Sequence, residues 1–270
     1  MGEPSEEKNL HGRVQSVDRA LMLLEAMGED EEGNRLIDLA SRTGLAPSTV
    51  HRILTTLEQR QFIQFNPNDR MWHIGRQAFA IGTAFTRRSN IVATALPFLR
   101  RLRDQTRETV NLGFMQDGEM VFVDRIESRD IIRSVTRVGG KAPMTASAMG
   151  KAILATCPFE EAAAIIEREG GRRFTANTLI QQEALQANLE DIRKEKYAVD
   201  DEEFVPGLRC VAAPVFNHRG DAICAISISS LSARITRDRV PMLGHLLVEA
   251  SQKLTVALGG VASPPNLMAT

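Results

Sequence analysis

The sequence predicts an α+β protein: an N-terminal winged helix-turn-helix, a linker helix, and a C-terminal domain built on an antiparallel sheet. Three observations carry this. The first 75 residues run helix, helix–tight turn–helix, hairpin. Residues 76–90 keep a helical period between that unit and the second domain. From Thr109 the apolar period shortens to alternation, and two hairpins bracket a set of helices. At about 150 residues per domain, the 270 residues make room for two.

Residues 1–13 are polar and read as a disordered tail. The first domain is expected over 14–75. Its opening helix runs from Ser16, a candidate N-cap, to Met27, with Val17, Leu21 and Leu24 at helical spacing. Leu36, Ile37, Leu39 and Ala40 mark a short helix that Gly44 ends by supplying a left-handed residue. Pro47 suits the first position of the next helix. There Val50, Ile53, Leu54 and Leu57 form one apolar stripe. Phe62–Phe65 and Met71–Ile74 flank Asn66-Pro67-Asn68-Asp69 and read as a hairpin. The linker helix is expected over 76–90, centred on Gln77–Phe85, and a further helix over Ile91–Thr106. The second domain is expected over 91–260, with 261–270 a flexible tail. Its strands are read at Val110–Phe114, Met120–Val123, Ile131–Val138, Cys210–Phe216 and Ala222–Ser229. Its helices are read at Ser147–Thr156, Phe159–Glu169, Glu183–Lys196 and Arg237–Leu258. Asp117-Gly118 is a hairpin signal.

Composition excludes several classes. Apolar residues make up 43% and charged residues 25%, enough apolar content for a core in each domain. Aromatics at 5% are too few for stacking many unpaired bases. Cys157, Cys210 and Cys224 are odd in number, with no CxxC. They make neither a disulfide framework nor a Cys-rich zinc site, and they suit a reducing compartment. No run approaches the about 18 apolar residues of a membrane span, and Met1–Glu7 is acidic without a signal-peptide core. A cytoplasmic protein with no metal, cofactor or membrane partner is the expectation.

The net charge of −1 gives no overall attraction to nucleic acid, so any contact with DNA must be local. Between Arg42 and Arg76, five arginines stand against Glu58 and Asp69. Opposite the apolar stripe of the 47–59 helix lie Ser48, Arg52, Thr55 and Gln59, flanked by Thr49 and His51. Hydroxyl, guanidinium and amide groups are those that read base edges in a major groove. Ser48, Thr49, His51, Arg52 and Thr55 are therefore candidate DNA contacts, with Arg70 at the tip of the wing. A polar helix face also serves solvent or a protein partner.

Two further constellations stand out. Small residues crowd a helix start in Pro143–Ala152, which fits either an anion site or close helix–sheet packing. The acidic run Asp200–Glu203 precedes Gly207-Leu208-Arg209-Cys210 and reads as a solvated loop before a strand. Ser227 and Ser229 share one face of a strand and offer hydroxyls to a polar ligand. Cys210 with His218 would allow nucleophilic chemistry, but no orienting third group is apparent and a buried small hydrophobe is the simpler reading.

These residues together resemble the IclR family of bacterial transcription regulators over about Val14–Gly260. The resemblance rests on Val14–Leu21, Leu45–Leu54, Ala146–Ala152, Asp201-Glu202-Glu203, Gly207–Cys210 and Ile226–Ser229. Asn111, Gly139-Gly140-Lys141 and Gly207–Cys210 look closest to the acetate-operon and allantoin repressor branch. It implies a GAF-like effector domain, dimers and tetramers on a palindromic double-stranded operator, and a small carboxylate or oxo-acid effector. It implies an effector site of the Ala148 and Met149 backbone with Asp200, Cys210, Ser227 and Ser229, lined by Ile131, Ser134, Ala142 and Leu208. Ser134 and Ala142 stand where that branch carries bulkier apolar residues, so the resemblance implies a roomier, more polar pocket. It implies a repressor, with an activator of the same family as the alternative, and no catalytic residue.

Overall fold

The computed structural model describes residues 14–30, 32–88, 90–128, 137–169 and 171–261, which fall into two compact units, 1–89 and 90–270. The first unit holds α1 (Gln15–Gly28), α2 (Leu36–Thr43), α3 (Pro47–Gln59), β1 (Ile63–Asn66), β2 (Met71–Ile74) and α4 (Arg76–Arg88). Gly44 takes φ 67° at the end of α2, and Pro47 opens α3. Both reflect backbone chemistry: glycine reaches the left-handed region without a Cβ clash, and proline lacks the N–H that a first turn leaves unused. Leu23, Met27, Leu39, Val50, Leu54, Ile63 and Trp72 form the core. β1 and β2 pair antiparallel, and Asn34 adds a bridge to Trp72, each N–H to the other's carbonyl at 2.9 Å. Ser16 is not the cap of α1. The helix begins at Gln15 after an extended Val14, and no side chain caps it.

The second unit holds α5 (Asn90–Thr106), β3 (Thr109–Gln116), β4 (Glu119–Ile126), β5 (Lys141–Ala142), α6 (Ala148–Leu154), α7 (Phe159–Glu169), α8 (Gln182–Glu195), β6 (Ala198–Asp201), β7 (Leu208–Phe216) and β8 (Ala222–Leu231). A 3-10 turn (Arg237–Arg239) and α9 (Val240–Ala257) come last. One antiparallel sheet runs β5-β4-β3-β8-β7-β6. Strand alternation divides its residues between two layers. Val110, Leu112, Val211, Ala213, Val215, Ile226 and Ile228 pack with α5 and α9. Ala212, Ala225 and Ala198 pack with Met120, Met149, Ala152 and Ile153 of the α6 layer.

Two expectations are corrected. The acidic run is no solvated loop: Ala198–Asp201 is an edge strand paired with β7, and Asp200 is 1% exposed. Val138 belongs to a turn, and a two-residue strand at Lys141–Ala142 completes that edge of the sheet. Most of the expected 131–138 strand, with Ile131 and Ser134, lies outside the described residues, as do the segments 1–13 and 262–270.

Close approach accounts for Gly150. A Cβ there would stand 2.5 Å from the Met144 Cα and carbonyl oxygen and 2.6 Å from the Pro143 carbonyl oxygen. These are backbone atoms and cannot rotate aside. Gly150→Ala is expected to destabilise the second unit by about 1–3 kcal/mol, read as a lower urea midpoint by circular dichroism. Fluorescence of Trp72, the one tryptophan, reports on the first unit and should not move.

Candidate functional site

Two surfaces carry the candidate residues. On α3, Val50 and Leu54 are buried, which turns Ser48, His51 and Arg52 outward, while Thr49 and Thr55 are half-buried. The Thr55 hydroxyl donates to the His51 carbonyl at 2.9 Å, so its hydrogen is spent on the helix and only its lone pairs remain for a ligand. Arg70 is exposed at the β1–β2 turn with φ 58°. Asn66 and Asp69 close that turn, accepting from the Asn68 and Met71 N–H groups at 3.1 and 2.9 Å.

The second surface is the sheet face under α6. In the antiparallel register, Asp200 stands opposite Cys210, Cys210 opposite Ser229, and Ser229 opposite Thr109. The neighbouring row runs Ala198, Ala212, Ser227, Asn111. Residues directly opposite share a face, so four strands bring Asp200, Cys210, Ser227, Ser229 and Asn111 together. Leu208, two residues before Cys210, extends the same face. Ala142 is buried beside Met120 at the far edge. α6 packs against β6, β7 and β8 on this face. Its N-cap is Ser147, whose Oγ accepts from the Gly150 N–H at 3.1 Å and donates to the Pro143 carbonyl at 2.6 Å. Glu169 holds the preceding loop, accepting from the Met144 and Thr145 N–H groups at 2.7 and 3.0 Å. Both readings of the small-residue run therefore have a structural counterpart: Gly150 packs closely, and Ala148 and Met149 supply first-turn N–H groups.

Electrostatics single out four groups. Lys151 is fully buried, and its Nζ lies 2.5 Å from Oε1 of Glu203. Glu203 Oε2 is buried with no partner. Asp200 Oδ1 accepts from the Glu203 N–H at 2.8 Å and the Phe204 N–H at 3.3 Å. Burial nonetheless pushes the Asp200 carboxyl up to about 7, with the Glu203 carboxylate adding to it, against the pull of those N–H groups and of Lys151. Burial and then the Asp200 charge push the Cys210 thiol well up. That is the reverse of the environment that activates a thiolate.

Asn111, Lys151 and Glu203 are functional candidates that the sequence did not single out as site residues. Lys151 sits within an apolar run, and Asn111 falls at an inward position of an alternating strand. Those placements are the available signals. Among the described residues no three His, Cys, Asp or Glu side chains converge as metal ligands, and no helix is long and apolar enough to cross a membrane.

Comparison with known proteins settles the family. The profile described as "IclR helix-turn-helix domain" matches residues 16–67, and "Bacterial transcriptional regulator IclR C-terminal" matches 83–256. The chain belongs to the IclR family. It is 38% identical over 252 residues to the transcriptional repressor IclR of Escherichia coli, covering 93% of this chain and 92% of that one. It is 37% identical over 251 residues to the acetate operon repressor of Salmonella typhimurium, covering 92% of each. Among solved structures it is similar to the Thermotoga maritima IclR, with TM-score 0.78 and 28% identity over 92% of this chain and all of that one. The chain is thus an IclR-type transcriptional regulator, with a DNA-binding helix-turn-helix and a C-terminal effector domain.

The Asp200 environment predicts a pH signature in the ligand-free protein. Its ordinary value is 3.8 and its folded value about 7. Between the two, the folded state holds a proton that the unfolded chain has released, so stability falls as pH rises toward 7 and levels off above it. Asp200→Asn removes this dependence. In urea titrations from pH 5 to 8.5, the variant is expected to gain on the wild type up to about pH 7, by roughly 2–3 kcal/mol, and hold that margin above. A margin independent of pH would contradict the assignment.

Proposed function

We propose that the protein is a repressor that binds a palindromic duplex operator as a dimer or tetramer through α3, and that a small carboxylate or oxo-acid on the α6 face of the sheet controls this binding. The observation that carries the second half is the convergence of Asp200, Ser227 and Ser229 beneath α6. The serine hydroxyls and the Ala148 and Met149 N–H groups are donors to a carboxylate. Asp200, near half-protonated at neutral pH, repels an anion less than a full carboxylate does. Cys210 and Leu208 supply the apolar part of the wall. Ile131 and Ser134 belong to the same proposal through the family resemblance.

For the DNA half, Ser48, His51 and Arg52 are the outward groups at the start of α3, with Thr49 and Thr55 beside them and Arg70 at the wing. A single helix of this kind reads a short half-site, which favours two-fold pairing on a palindrome. The relatives' names support repression; activation through the same domains is the alternative that a reporter assay separates.

Arg52→Ala is expected to weaken binding to the protein's own promoter region by about 1–3 kcal/mol, equivalent to roughly five- to 150-fold in Kd by gel shift. If Arg52→Ala and Thr49→Ala both bind like the wild type, α3 is not the reading helix.

Effector control is tested by thermal-shift screening against small carboxylates, hydroxy acids and aromatic acids, followed by gel shift with the strongest hit. Ser229→Ala and Asp200→Ala are expected to abolish the ligand's effect on DNA binding and to leave ligand-free operator affinity within about two-fold, since both residues belong to the second compact unit and α3 to the first. If both variants respond at the wild-type ligand concentration, the ligand binds elsewhere.

A further inference from the structure

Asn111 lies on β3, a central strand, and is 1% exposed. Its neighbours along the strand, Val110 and Leu112, face the α5 and α9 layer, so the asparagine faces α6. Its Nδ2 donates to Ser227 Oγ at 3.2 Å and to Ser229 Oγ at 3.0 Å. Both amide hydrogens are then used. A serine hydroxyl has one hydrogen and two lone pairs. Each serine gives a lone pair to Asn111, so each hydroxyl hydrogen points to some other acceptor. The remaining atom, Asn111 Oδ1, is buried with no hydrogen-bond partner. A buried amide oxygen left without a donor is unfavourable, and a ligand that brings one removes the cost.

Across β4, Arg125 shares the row of Asn111, and its guanidinium lies 3.7 Å from Glu127. Two residues on, Gly113 leaves room for Met149: a Cβ there would come within 3.0 Å of the Met149 Cε. The first turn of α6 thus lies against the strand beside Asn111.

We propose that Asn111 is a specificity-determining residue of the effector site, which turns Ser227 and Ser229 into two hydroxyl donors and keeps its own oxygen as an acceptor. The site then selects small acids that carry a hydrogen-bond donor beside the carboxylate, as 2-hydroxy acids and hydrated 2-oxo acids do. Acids of the same size with a methyl group in place of the hydroxyl leave Oδ1 unpaired and bind weakly. The proposal rests on the reading that this face of the sheet binds a small acid.

The test is isothermal titration of the full-length protein with two isosteric pairs: glycolate against propionate, and lactate against isobutyrate. In the wild type the hydroxy acid is expected to bind at least about ten-fold more tightly within each pair, because a site built to pair a hydroxyl rejects the analogue that lacks it. Asn111→Leu, of similar volume, is expected to bring both ratios to within about three-fold of one, mainly by weakening the hydroxy acid. Asn111→Asp is expected to weaken all four acids, since its carboxylate accepts both serine hydrogens and adds a negative charge. The circular dichroism spectrum should stay as in the wild type, which separates selection from loss of fold. Should Asn111→Leu unfold, Asn111→Ser keeps a polar group that cannot bridge both serines, and the same loss of ratio is expected. Acids that bind wild type with ratios near one, or a folded variant that retains the wild-type ratios, would overturn the role of Asn111 while leaving the effector site standing. If none of the four acids binds the wild type, the reading of this face as a small-acid site fails, and the role of Asn111 fails with it.

Discussion

A fully buried lysine ammonium, 2.5 Å from a buried glutamate, fixes the arrangement on which the candidate effector site depends. Lys151 comes from α6 and Glu203 from the turn after β6, so the pair ties the helix over the sheet to the strand that carries Asp200. The same turn folds back on that strand: the Glu203 and Phe204 N–H groups bond to Asp200 Oδ1. Glu169 holds the start of α6 from the other side through the Met144 and Thr145 N–H groups. Removing one member of a buried pair leaves the other charge uncompensated and costs about 3–5 kcal/mol, whereas an apolar pair of equal volume is often as stable. The gain from the charge pair is therefore one of direction. The pair draws α6 toward the turn after β6, over the sheet face that carries Ser227 and Ser229.

The sheet shows why such a fixing contact is needed. One face is covered by α5 and α9 through close-packed Val, Leu and Ile side chains, and it holds itself together by apolar burial. The other face gives up that adhesion along two rows, where Asp200, Cys210, Ser227, Ser229 and Asn111 replace hydrophobes. Small residues compensate in part: Ala198, Ala212 and Ala225 let α6 approach, and Gly150 and Gly113 remove the last obstructing Cβ atoms. Ala148, Met149, Ala152 and Ile153 give α6 its apolar grip, and beside the polar rows the Lys151–Glu203 pair and Glu169 add specific contacts.

Much of this was legible in the sequence, and the exceptions have a common cause. The alternation of Val110, Leu112, Val211, Ala213, Ile226 and Ile228 with polar residues is a local, period-two signal, and it located the strands and put Ser227 and Ser229 on one face. The α3 stripe is equally local, and so are Gly44 and Pro47. What the sequence did not show depends on partners far along the chain. Asp200-Asp201-Glu202-Glu203 looks solvated because four successive acids suggest exposure; Arg209 pairs with Asp201 from eight residues on, but the Lys151 partner of Glu203 lies 52 residues away, and the edge pairing of β6 depends on β7. β5 is two residues long and has no period to detect. Ser16 looked like a cap because its type fits, but Val14 is the extended residue from which α1 starts.

The ligand-free site holds two buried acceptors without donors, Asn111 Oδ1 and Glu203 Oε2. Each such atom costs about 1–3 kcal/mol. That is the same size as a typical coupling free energy between two sites, about 1–3 kcal/mol. A ligand alters DNA affinity only through unequal binding to two arrangements of the protein. An acid that supplies a donor to Asn111 gains most in the arrangement where that oxygen is otherwise orphaned, and less in any arrangement where the sheet or α6 satisfies it internally. The unsatisfied atoms are thus a source of differential affinity, and its sign is set by which arrangement holds DNA. If the DNA-bound form is the one in which the strand, the serines and α6 have closed on one another, the acid opposes it and acts as an inducer. If the DNA-bound form is the one with the orphaned oxygen, the acid strengthens repression.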